Sequence, residues 1–158
     1  MQLRQLQCLL VHKKAAPRRA PLSLGRCDRQ ERLLRVEQQR FRLLSRTAAG
    51  SGTTIRLADG LYDMSLGDGA SRLVFSVPGV TLRSASGNRD AVVLDGAYTT
   101  DELVNVNASD VVIADLTLKR AFNHPVHVSG LGTVITGTRL HNVRIVDPGE
   151  QAIKINPV

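Results

Sequence analysis

The 158-residue sequence has no tryptophan and only five other aromatic side chains, two Tyr and three Phe. Any core must therefore be filled by Val, Leu and Ile. Its two cysteines, Cys8 and Cys27, both lie near the amino end. The remaining body has no disulfide framework, and cysteine usage marks no redox compartment. No apolar run approaches the roughly 20 residues of a membrane-spanning helix. Near the start the longest is Cys8-Leu-Leu-Val11, well short of the ~7–15 apolar residues of a secretory signal. No export address is therefore expected in the sequence as written.

What is present divides sharply by charge. The formal net charge is +7, but residues 1–46 hold ten Arg and two Lys against Asp28, Glu31 and Glu37, a net of +9. Residues 47–158 hold nine basic and eleven acidic groups, a net of −2. This predicts two parts, a basic N-terminal extension over 1–46 and a mildly acidic body over 47–158. Within the extension, Pro17 and Pro21 interrupt a stretch without stable period. From Asp28 onward, Leu33, Leu34, Val36, Phe41, Leu43 and Leu44 have the spacing of an amphipathic helix, with Asp28 as N-cap and Glu31 three residues on. Three readings of this extension stay open: an arm for nucleic acid or another acidic partner, a helix capping the first coil of the body, or an upstream segment foreign to the folded part. The ends of stacked-coil proteins call for a polar or helical cap. The near absence of aromatics among the arginines, and of any known binding motif, argues against nucleic acid.

The body is organised by a repeat. Residues 113–128 align without a gap on residues 140–155 at an offset of 27, placing Ile113 on Leu140, Leu116 on Val143, Leu118 on Ile145, Val126 on Ile153 and Val128 on Ile155. A fixed period of this length, built from very short alternating apolar runs, predicts coils of stacked strands. After an opening strand at 54–57 and an extension to Asp63, three strand roles recur. The first falls near 73–77, 103–106, 126–128 and 153–155, the second near 80–82, 111–113 and 140, the third near 92–94, 116–118 and 143–145. The expected fold is all-β, a parallel β-helix of about three to four coils, with strand ladders running from coil to coil at about 4.8 Å. Asp115 and Asn142 fall between second and third strands, where a sharp turn needs a residue that tolerates positive φ; they are expected to stack as a polar ladder. The sequence stops just after a strand, which predicts a β-helix incomplete at its C-terminus or completed by another chain.

Four stretches carry a resemblance: TIRLADGLYD (54–63), PGVTLRSASGNRDAVVLDG (78–96), VNASDVVIADLTLKR (106–120) and GEQAIKIN (149–156). Together they resemble the right-handed parallel β-helix proteins of the pectate-lyase-like superfamily, over about two thirds of the chain. That superfamily holds polysaccharide lyases, glycoside hydrolases, epimerases and adhesins, and its members are mostly exported. The resemblance implies a carbohydrate-active protein, either a lyase or a non-catalytic relative that binds acidic polysaccharide. The alternative is a structural or adhesive surface protein without catalysis.

Strand parity points to the face on which such a site would lie. If Val104, Val106, Val126, Val128, Ile153 and Ile155 point inward, then Asn105, His127 and Lys154 point outward, one above another, with Ser76 beginning the stripe. Loops 119–125 and 146–152 run beside it. In the resembling lyases substrate lies on this first-strand face. A lyase needs a cation to offset the uronate carboxylate and a base to take the neighbouring proton. Lys154 and His127 are the candidates for base, Arg120 for gripping a carboxylate, and Glu150 and Asp147 for offering oxygens to Ca²⁺. Without the resemblance, the same groups are solvated side chains on a charged surface, and none of the family's catalytic motifs is matched. His124 and His127 form a His-x-x-His pair interrupted by Pro125, passing from loop to strand, which argues against zinc. Tyr62, Tyr98 and Phe122 are the aromatics able to stack on sugar, Phe75 being assigned to the core.

Overall fold

A computed structural model describes residues 50–65 and 72–156. The predicted helix over 28–46 and the whole basic extension lie outside these residues.

Among the described residues twelve strands of three to five residues form, where aliphatic and β-branched side chains alternate with other residues and are closed off by residues suited to sharp turns. The first coil contains β1 (Thr54–Leu57), β2 (Gly60–Asp63) and β3 (Leu73–Phe75). The second contains β4 (Thr81–Ser84), β5 (Val92–Asp95) and β6 (Glu102–Val106), and the third β7 (Val112–Ala114), β8 (Thr117–Lys119) and β9 (His124–Val128). The fourth is β10 (Arg139–His141), β11 (Arg144–Val146) and β12 (Ile153–Ile155). Every pairing is parallel and joins a strand to its counterpart one coil away. Three four-stranded sheets result: sheet A of β1, β4, β7 and β10, sheet B of β2, β5, β8 and β11, and sheet C of β3, β6, β9 and β12. The protein is an all-β parallel solenoid of four coils, a β-helix. No helix forms among the described residues, so none is long and apolar enough to cross a membrane.

The register turns the repeat into columns. Ile55, Leu82, Ile113 and Leu140 stack inside sheet A. Leu94, Leu118 and Ile145 do so inside sheet B, and Phe75, Val106, Val128 and Ile155 inside sheet C. Leu82, Leu94, Val104, Ile113, Leu118 and Val126 are wholly buried. Each strand alone is too short to hold its conformation; burying a side chain of this size contributes about 1.5–3 kcal/mol, and only stacking provides that burial. Ile153 and Ile155 continue the inward columns of sheet C yet are 41% and 71% exposed, because the fourth coil is the last described.

The corners repeat as faithfully as the strands. Asp115 and Asn142 turn from sheet A to sheet B with φ of 55° and 49°. Arg120 and Asp147 turn from sheet B toward sheet C with φ of 51° and 47°. Each pair is one 27-residue coil apart. Gly149, two residues past Asp147, is required for space: a Cβ there would lie 1.7 Å from the Phe122 carbonyl oxygen.

Candidate functional site

The outward column of sheet C is Val74, Asn105, His127 and Lys154. The expected stacking of Asn105, His127 and Lys154 is present. Ser76 does not begin it; Leu73 pairs with Val104, which puts Val74 beneath Asn105 and leaves Ser76 past the strand end. His124 also departs from expectation. It belongs to β9 and is only 3% exposed, since strand pairing with Glu102 extends β9 through Pro125.

Around this column the polar side chains bind one another across coils. His127 Nδ1 lies 2.6 Å from Glu102 Oε1. The other Glu102 oxygen accepts from Asn105 Nδ2 at 2.8 Å and from Arg72 at 3.0 Å. Burial pushes the Glu102 carboxyl upward, but the Asn105 hydrogen bond and the His127 and Arg72 partners outweigh it and hold it below the usual range. On the other side of β9, His124 Nε2 faces Glu150 Oε2 at 3.5 Å. The two imidazole centres are 6.1 Å apart and nearly edge to face.

Arg120 stands at the corner between sheets B and C, where Asp95 of the coil below already occupies it. Its Nε donates to Asp95 Oδ1 at 2.9 Å and a terminal nitrogen to Oδ2 at 2.6 Å; Lys119 Nζ reaches the same carboxylate at 3.0 Å. Burial raises the Asp95 carboxyl, yet the hydrogen bonds from Arg120, Lys119 and the Ala97 N–H bring it down to about 2. The guanidinium of Arg120 is held above its ordinary value in return. At the corner between sheets A and B, Asn142 donates to Asp115 Oδ1 at 3.0 Å and Arg83 to Oδ2 at 2.6 Å. These bonds, the Asn142 one foremost, keep Asp115 ionised below its ordinary range. The expected polar ladder of Asp115 and Asn142 is therefore present, and Arg83 and Arg89 extend it.

Of the five candidate residues, the register brings His127 and Lys154 side by side. Lys154 is exposed and makes no ion pair among the described residues. Arg120 is turned to Asp95, Glu150 to His124, and Asp147 is an exposed corner residue. Among the described residues no group of three or more His, Cys, Asp or Glu side chains is gathered to hold a metal ion. Tyr98 and Phe122 are 47% and 57% exposed, whereas the Tyr62 hydroxyl donates to the Ala58 carbonyl.

Sequence reasoning missed Glu102, Asp95 and Arg72. A usable signal existed: Glu102 precedes His127, and Asp95 precedes Arg120, by 25 residues, about one coil. A repeat of this kind places such pairs in contact.

Fold and site together define a parallel β-solenoid of the β-helix class, with one polar outward column on sheet C. No family model matches the chain, and no curated protein or solved structure does.

Proposed function

We propose that the protein is a right-handed β-helix of the pectate-lyase-like kind that binds acidic polysaccharide along the outward face of sheet C. The observation that carries this reading is the column Asn105, His127, Lys154 on three successive coils. It offers hydrogen-bonding and cationic groups at a repeat of about 4.8 Å to a linear chain of repeating anionic units. Lys154 supplies the exposed positive charge. Glu102 orients His127 by accepting at Nδ1. Arg120 has its carboxylate partner within the protein, so in this reading recognition of a uronate carboxylate rests on Lys154. A second reading, a structural or adhesive surface β-helix without catalysis, is favoured by the engagement of His127, Arg120 and Glu150 with groups on neighbouring coils.

The test is titration calorimetry with polygalacturonate, alginate and a glycosaminoglycan, with ultraviolet absorbance followed for unsaturated products. Binding to at least one, weakened about fivefold by Lys154→Ala and weakened further by salt, is expected. Binding without absorbing product leaves a non-catalytic relative. No binding to any of the three sinks the reading and leaves the structural alternative.

A further inference from the structure

Among the described residues, three of the four corners between sheets A and B are two residues long: 58–59, 115–116 and 142–143. The second coil uses seven, 85–91. Two residues suffice to turn a coil of this solenoid, so the five additional ones at a single corner call for an explanation. Short polar side chains give the loop a fixed shape. The Ser84 and Ser86 hydroxyls lie 3.0 Å apart, the Ser86 hydroxyl accepts from the Asn88 N–H at 3.3 Å, and Asn88 Oδ1 accepts from the Asp90 N–H at 3.0 Å.

From this fixed shape the loop reaches beyond its own coil in both directions. Toward the first coil, the Ser86 hydroxyl donates to Asp59 Oδ1 at 2.6 Å. Toward the third, the Arg89 carbonyl accepts from Thr117 Oγ1 at 2.9 Å. Toward the fourth, Arg89 donates to Asn142 Oδ1 at 3.3 Å, and Asp90 Oδ1 accepts from Arg144 at 3.1 Å. Reaching from the second coil to the fourth means crossing two strand spacings, about 9.6 Å. Strand pairing joins adjacent coils only. Burial points the same way: Thr117 stands between Val93 and Arg144 on the outward side of sheet B, yet it is only 5% exposed.

We infer that loop 85–91 is a strap laid over the outside of sheet B, fastening the fourth coil to the second across the third. In a stacked-coil protein each coil is otherwise held by its neighbours alone, and an outer coil opens by leaving one neighbour. Here the fourth coil must also break the Arg89 bond to Asn142 and the Arg144 bond to Asp90. The Arg144 and Asp90 side chains are 56% and 57% exposed, so the fastening is modest and sensitive to salt. The strap sets how readily the fourth coil, which carries Lys154, comes away from the third.

The experiment is amide hydrogen exchange of the full chain, followed residue by residue by nuclear magnetic resonance. The N–H groups of Arg139 and Arg144 donate to the carbonyls of Val111 and Leu116 and report on the joint between third and fourth coils. Those of Thr81 and Val112 donate to Thr53 and Val80 and report on the joints between earlier coils. In the double variant Arg89→Ala, Asp90→Ala, exchange at Arg139 and Arg144 should quicken about threefold to tenfold, the effect of losing two surface contacts. Thr81 and Val112 should be unchanged. Asp90→Arg should also quicken exchange at Arg139, and adding Arg144→Asp should restore it. Unchanged exchange at Arg139 and Arg144, an equal rise at Thr81 and Val112, or a charge swap that restores nothing would overturn the inference. None of these outcomes decides the polysaccharide reading, which needs only the column on sheet C.

Discussion

Asp95 is almost fully buried, and burial alone would push its carboxyl upward. Arg120 and Lys119 reverse that and hold it at about 2, against an ordinary 3.8. A carboxyl lowered on folding contributes stability that is present at neutral pH and is lost as pH falls from about 4 toward 2. With both cations partly exposed, the contribution is on the order of 1–2 kcal/mol. Asp95→Asn should therefore lower the melting temperature at pH 7 and narrow the gap from wild type as pH falls to 2; an equal gap at both pH values would contradict the assignment. Gly149 acts through space instead of charge. A methyl group there meets backbone, which cannot swing aside as a side chain can. Gly149→Ala should cost about 1–3 kcal/mol in denaturant unfolding, whereas Gly132→Ala, with open space around its Cβ position, should cost less, its loss coming from the positive φ alone.

At the level of strands and corners, the account predicts which losses propagate. Leu118 sits between Leu94 and Ile145 in the sheet B column and is wholly buried. Leu118→Ala should cost about 2–5 kcal/mol, read from the urea midpoint at unchanged slope. Substituting Asn142, exposed at a corner, should cost far less. The strands were legible because short aliphatic runs recur at one coil length, and alternation within them fixed which residues face inward. Asp115 and Asn142 were legible as corners because few residue types tolerate their backbone conformation. The start of β9 was not legible: Pro125 argues for a loop, and only pairing with β6 makes His124 part of the strand. Nor was the place of Ser76 legible, since the second-to-third-strand connection runs over 85–91 in one coil and only 115–116 in the next, so that spacing alone does not set the register of β3. Most of the polar site escaped for one reason. The sequence shows His127 and Arg120 as outward polar groups, free in solvent or open to a ligand, whereas partners one coil earlier in the chain engage them.

At the scale of the solenoid, the three sheets of the described residues share one apolar core, and polar ladders at the corners and on sheet C tie coil to coil. Glu102 joins the first three coils through Arg72 and His127, and His124 and Glu150 join the third to the fourth. The proposed polysaccharide face depends on one geometric fact, the register of sheet C. Nuclear Overhauser contacts in isotopically labelled protein measure it directly. The account predicts backbone contacts from His127 to Asn105 on one side and to Lys154 on the other. Contacts from His127 to Leu103 or Asn107, or to neither neighbouring strand, would contradict it.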